Sequence, residues 1–186
     1  MSRFSTSETP LAGVAVVERR RIGDSRGFLS RLFCATELRA AGWTRPVAQI
    51  NHTLTRKRGT VRGMHFQTAP HAEMKLVTCL RGAVWDVAVD LRAGSATLLR
   101  WYGTELSADN GRALLIPEGC AHGFQTFTDD CELLYCHSAP YVGEREGLVN
   151  AVDPRIGIDW PLPIAERSER DRDAAHLPSE YSGIRL

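Results

Sequence analysis

Between residues 48 and 138 the chain alternates apolar and polar positions in short runs cut by turns. The run "AVWDVAVDL" sets Trp85, Val87 and Val89 on one face and Val84, Asp86, Ala88 and Asp90 on the other. The runs "TLLRWYGTEL", "RALLIP", "HGFQTF" and "CELLYCHS" follow, separated by "RAGSA", "SADNG", "PEGCA" and "TDD". Strands at this spacing with Gly, Asp and Asn turns predict a closed or double-sheet antiparallel β architecture. A helix is predicted over residues 34–42, "CATELRAAG", ending at Gly42. Beyond residue 150 prolines and charges predict an irregular tail wrapped over the barrel. There is no internal repeat and no interdomain linker, so a single domain is expected over 1–186. Its parts are N-terminal strands and a helix (1–47), a barrel core (about 48–138) and a C-terminal tail (139–186).

Composition narrows the function classes. The 186 residues are 43% hydrophobic and 24% charged with a formal net charge of +1, enough chain for one sizeable core. A near-neutral balance gives no electrostatic case for nucleic acid or an anionic membrane as the main partner. The basic clusters at 18–21 and 55–59 read as solvated faces or turns. Five cysteines, an odd number without C-x-x-C spacing, argue against a disulfide framework or a zinc ribbon. The N-terminus lacks the apolar core of a signal peptide, and no stretch reaches a membrane-spanning length, so a cytoplasmic location is expected.

The segment "GTVRGMHFQTAPHAEMKLV", residues 59–77, carries the chemistry. Inward side chains on a strand recur with period two, yet Arg62 and His65 are three apart. If both face inward, a bulge or Gly63 must re-aim one of them. "G-x5-H", ending at His65, and "P-x-G-x-x-H", ending at His122, resemble the two halves of the cupin motif. A metal-binding cupin continues with a second histidine, where this chain has Gln67, and Glu73 lies one residue beyond the usual acidic position. A carboxamide is a poor transition-metal ligand, and Lys75 would repel a divalent ion in the same cavity. No metal is expected. Arg62, His65, Lys75 and His122 instead form a basic pocket for an anionic substrate. Any one of them alone reads more readily as a surface charge or a satisfied core histidine; four at strand-to-turn junctions of one barrel do not.

Taken in order, "DSRG", "QINHT", "GTVRGMHFQ", "KLV", "DVAVDLR", "ELSADN", "IPEGCAHGF", "LLY", "DPRIGIDWP" and "SERD" resemble the dTDP-4-dehydrorhamnose 3,5-epimerases over nearly the whole chain. The resemblance implies an all-β cupin fold, a double-stranded β-helix or jelly-roll barrel with short helices. It also implies an isomerase of deoxysugar biosynthesis, a homodimer that needs no cofactor. The substrate would be a nucleotide-diphosphate 4-keto-6-deoxyhexose, whose C4 ketone acidifies the C–H bonds at C3 and C5. A base removes a proton, a positive donor holds the enolate, and reprotonation on the other face inverts the centre. Carried over by position, His65 is the base and Asp171 the partner that holds its tautomer. Lys75 stabilises the enolate oxygen and Tyr135 is the opposite-face acid. Arg62, His122, Gln49, Asn51, Arg26, Arg31 and Tyr141 fall at substrate-binding positions.

The chain departs from the family pattern where the nucleotide base is read. "DSRGFLSR" has Leu29 in place of an aromatic residue and Arg31 in place of an acid. Arginine has only donors, whereas thymine's N3–H asks for an acceptor. Either the site takes a base with an acceptor edge, such as cytosine, or Arg31 faces solvent or phosphate and thymine is held by other groups. Ala151-Val152 replaces a Trp-Asn pair, and Cys136 stands where lysine is common. Rival readings are an epimerase of one centre, C3 or C5, using another nucleotide such as CDP; a metal-dependent cupin enzyme; and a sugar-binding module.

Overall fold

The strands of the computed structural model, which describes residues 2–186, form two large sheets that face each other. Along the chain they are β1 (Phe4–Glu8), β2 (Ala15–Arg19), β3 (Arg21–Asp24), β4 (Gly27–Ser30), β5 (Gln49–Thr55), β6 (Val61–Gln67) and β7 (Lys75–Arg81). Then come β8 (Ala83–Asp90), β9 (Trp101–Ser107), β10 (Arg112–Ile116), β11 (Cys120–Thr126), β12 (Cys131–His137) and β13 (Glu146–Leu148). Two one-turn helices, α1 (Ala35–Leu38) and α2 (Glu169–Arg172), complete the order. The six-stranded sheet runs β1-β2-β10-β7-β12-β5, the five-stranded sheet runs β13-β6-β11-β8-β9, and β3-β4 is a separate hairpin. All of these strand pairs are antiparallel. This is the all-β jelly-roll barrel that the sequence pattern and the resemblance predicted.

Hydrophobic burial explains the register. Val77, Cys79, Leu114, Ile116 and Leu133 of the six-stranded sheet meet Val84, Ala88, Leu106 and Phe124 of the other in one inner core. Outside the five-stranded sheet, Val87, Val89 and Ala121 pack under the tail residues Val149, Ala151, Ile156 and Trp160. Outside the six-stranded sheet, Val17, Leu76, Leu115 and Cys136 pack under Leu38 and Trp43. A strand covered on both faces cannot slip by one residue without exchanging its two apolar sets, so the alternation read along β8 is retained.

Several details differ from the sequence reading. The predicted run 97–106 becomes strand only at Trp101, because the Ser95 and Thr97 hydroxyls both turn to the Asp90 carboxylate at 2.6 Å and hold 95–100 in turns. The predicted helix is one α-turn followed by a 3-10 turn, Arg39–Ala41, and it does end at Gly42, in left-handed conformation with φ of 104°. The tail is not only loop: β13 adds to the edge of β6, and α2 forms at "ERDR". The N-terminal β1 and β2 are not peripheral to the barrel, since β2 pairs with β10 inside the larger sheet. Cys136, in the position where the family pattern has lysine, is 2% exposed and joins the outer core, not the cavity.

Candidate active site

A cavity of about 220 Å³ opens between the two sheets. Arg62 and His65 on β6 and His122 on β11 enter it from the five-stranded sheet. Lys75 on β7, Tyr135 and His137 on β12, and Gln49 and Asn51 on β5 enter it from the six-stranded sheet. The three-residue spacing of Arg62 and His65 is resolved by a bulge. Against β11, His65 pairs with His122 and Arg62 with Phe124, so three steps on β6 oppose two on β11. Val61 and Met64 pack in the outer core while Arg62 and His65 turn inward.

His65 and Asp171 meet at 2.8 Å, Nε2 to Oδ1, across 106 residues of sequence. The motif "SERD" makes this contact. Ser168 is the N-cap of α2 and accepts from the Asp171 N–H at 3.1 Å. One short turn thus fixes the Asp171 backbone and aims its carboxylate at β6, where Oδ2 also accepts from the Gly63 N–H at 3.3 Å. Burial pushes the Asp171 carboxyl up, but the hydrogen bond and charge of His65, with the Gly63 and Ser168 contacts, outweigh it and bring it below the ordinary value. Asp171 is therefore a carboxylate at neutral pH. It accepts a hydrogen bond from Nε2–H and so leaves the lone pair of neutral His65 on Nδ1.

Across the cavity, Lys75 is 5% exposed; its ammonium donates to the His65 carbonyl oxygen at 3.0 Å and pairs with Glu73 at 3.2 Å. Tyr135 is 9% exposed, and burial, with the nearby Asp86 charge, pushes its phenol further up. It stays protonated and able to donate. His122 lies edge-on to the Tyr135 ring, centroids 5.7 Å apart, and its Nε2 is 2.8 Å from Oδ1 of Asp86. Asp86, fully buried on the inward face of β8, has its carboxyl raised by burial, against the pull of His122.

Gln49 bonds Asn51 at 3.0 Å and accepts the Tyr141 N–H at 3.0 Å, placing Tyr141 at the rim with its hydroxyl donating to Glu146. Glu146 also pairs with Arg170 at 2.5 Å. Two predicted binding residues lie outside the cavity of this chain. Arg26 sits on the β3–β4 hairpin and pairs with Asp24 at 2.6 Å, and Arg31 follows the hairpin and pairs with Glu37 of α1. The sequence reading missed Asp86, His137 and Glu146, and it weighed Glu73 only as a metal ligand. The signal for Asp86 was present, as a carboxylate in the inward register of an apolar strand. Nothing local marked the other three.

The protein-family model described as dTDP-4-dehydrorhamnose 3,5-epimerase matches residues 8–179. A dTDP-4-dehydrorhamnose 3,5-epimerase from Sinorhizobium fredii is 38% identical over 180 residues, 95% of this chain and 92% of that protein. The crystal structure of the Bacillus anthracis dTDP-4-dehydrorhamnose 3,5-epimerase with TDP and pyrophosphate bound superposes with a TM-score of 0.90 at 36% identity, covering 94% of this chain and 99% of that one. A 3'-monoepimerase from Streptomyces bikiniensis in complex with dTDP-quinovose gives 0.82 at 35% identity, covering 91% and 87%.

Proposed function

Because this chain belongs to the dTDP-4-dehydrorhamnose 3,5-epimerase family, we propose that it epimerises a nucleotide-diphosphate 4-keto-6-deoxyhexose by proton transfer alpha to the C4 ketone. One observation carries the reading. His65, backed by Asp171 of α2, and Tyr135 enter a single cavity from opposite sheets, which is the arrangement inversion requires. A sugar ring held between the sheets presents one face to Nδ1 of His65 and the other to the phenol. His65 removes the proton from C3 or C5, and Asp171 stabilises the imidazolium that forms. Lys75, whose charge is in place before the reaction, neutralises the enolate oxygen. Tyr135 returns a proton from the far side, and Arg62 and His122 hold the sugar and diphosphate.

The chemistry needs no electron transfer and no electron sink other than the ketone itself, so the reading includes no cofactor. It includes no metal either: the acid nearest to a metal-ligand position, Glu73, is engaged by Lys75, His137 and Gln67. A homodimer in the cytoplasm belongs to the same proposal. Supporting it, edge strand β5 exposes Ile50 (61%) and Leu54 (41%), and the hairpin exposes Phe28 (61%) and Leu29 (66%), apolar surface that a second copy would cover. No helix among the described residues is long and apolar enough to cross a membrane. Incubating the protein with dTDP-4-keto-6-deoxyglucose in deuterated water tests the reading. Deuterium should enter C3, C5 or both with formation of an epimer, and absence of both exchange and epimer would overturn it.

A further inference from the structure

Glu73 stands at the centre of a cluster that the proton transfers above do not use. Its side chain, in the segment between β6 and β7, is 8% exposed, a costly place for a charge unless it is fully paired. Oε1 meets Lys75 Nζ at 3.2 Å, while Oε2 meets His137 Nδ1 at 3.1 Å and accepts from Gln67 Nε2 at 3.1 Å. Burial pushes the Glu73 carboxyl up, but the His137 bond and the Lys75 charge outweigh it and hold it below the ordinary value. A carboxylate has no proton to give, so the hydrogen on the Glu73–His137 line belongs to Nδ1. The neutral imidazole then carries its lone pair on Nε2. The only partner of Nε2 among the described residues is the Asn51 amide at 3.5 Å, the outer edge of hydrogen-bond reach. The ring is held flat against Tyr135, 14° from parallel with centroids 5.9 Å apart.

Lys75 and His137 are directly opposite each other in the β7–β12 ladder, so their side chains leave the sheet side by side on its cavity face. If Lys75 faces the C4 oxygen, His137 faces a carbon next to it. Of the two carbons flanking a C4 ketone in a 6-deoxyhexose, only C3 bears a hydroxyl, because C5 bears the methyl group. Resting on the epimerase reading, we propose that His137 is a specificity-determining residue whose Nε2 accepts a hydrogen bond from the sugar C3 hydroxyl, and that Glu73 is the positioning residue that fixes both this tautomer and Lys75. A single carboxylate thereby ties the group that reads the hydroxyl to the group that holds the enolate.

Two measurements test this. Nitrogen-15 NMR of the free protein should show neutral His137 protonated at Nδ1, and Glu73→Gln, which can donate as well as accept, should let the Nε2–H form appear. A dominant Nε2–H form in the unsubstituted protein would overturn the tautomer assignment; this readout is independent of any turnover and stands apart from the epimerase reading. The second follows deuterium exchange at either carbon flanking the ketone, C3 or C5, in dTDP-4-keto-6-deoxyglucose and in its 3-deoxy analogue. In the unsubstituted protein the analogue should have a KM roughly 3–10-fold higher, the worth of one hydrogen bond. His137→Phe keeps the ring against Tyr135 and should treat the two sugars alike, and His137→Leu serves if the Phe variant misfolds. An undiminished preference for the 3-hydroxyl sugar in the variant would overturn the contact. If neither sugar exchanges in the unsubstituted protein, the epimerase reading fails, and the contact proposed here with it.

Discussion

Gly63 and Gly123 face each other across the β6–β11 seam so closely that a Cβ on Gly63 would lie 2.6 Å from the Gly123 Cα and 2.6 Å from the His122 carbonyl oxygen. Gly63 also has φ of 115°, a conformation that L side chains rarely adopt. This is the bulge that turns Arg62 and His65 into one cavity. Gly63→Ala should therefore lose about 1–3 kcal/mol, as overpacked sites do, and misdirect His65. Thermal melting should fall by several degrees and kcat should fall beyond what the remaining folded fraction explains. A variant with normal melting and normal turnover would show that the seam has room to relax.

Replacing the base should leave the barrel intact. His65→Asn is expected to reduce epimerisation by about 10²–10⁴-fold, the ordinary contribution of a positioned base, with an unchanged far-ultraviolet spectrum. Asp171→Asn should be impaired as well, since an amide can present a donor to His65 and favour the unproductive tautomer.

The same dyad has a pH signature in stability. The Asp171 carboxyl lies below its ordinary value in the folded protein, so its contribution is fully present above the ordinary carboxylate range near pH 4 and is lost as pH falls through the lower folded value. The melting-temperature gap between the unsubstituted protein and Asp171→Asn should accordingly be fully open above about pH 4 and close as pH falls below it. A gap that widens on acidification would contradict the assignment.

Ser168→Ala separates structure from positioning. Loss of the N-cap should cost about 1 kcal/mol in global stability, yet it loosens the turn that aims Asp171 at His65. We expect a small shift in melting temperature together with a fall in kcat, while KM changes little.

Tyr135→Phe should still wash deuterium into the substrate, because removal of the proton belongs to the opposite sheet. Net inversion should fall much further than exchange. Equal losses of both would make Tyr135 a positioning group only.

Arg31 bears on the nucleotide. Its guanidinium pairs with the Glu37 carboxylate, which also takes the Arg3 backbone N–H at 2.5 Å and the Ser2 hydroxyl at 2.9 Å. This pairing turns the guanidinium toward α1, and we expect it not to read a base edge. In competition among dTDP, CDP, UDP and GDP, dTDP should bind best, and Arg31→Ala should change its affinity by less than about threefold, the scale of an exposed ion pair. Preference for CDP that disappears in Arg31→Ala would instead establish that this arginine reads the base.

The sequence by itself determined the strand-rich architecture, because alternation such as Val84-Trp85-Asp86-Val87-Ala88-Val89 leaves only one way to bury both faces of a strand. Its motifs also named His65, Lys75, Tyr135 and Asp171, and the odd spacing of Arg62 and His65 required a bulge or Gly63 to re-aim one of them if both were to face inward. Tertiary structure alone decided what these residues face. Asp171 reaches His65 only because a one-turn helix, too short to announce itself by periodicity, is capped by Ser168 and laid on β6. Glu73 and His137, 64 residues apart, become one unit with Lys75 because β7 and β12 are neighbours in the sheet, and sheet order is set by long-range burial, not by local pattern. Local periodicity tells a side chain which face of its strand to take; which other side chains share that face depends on strand pairing across the whole chain.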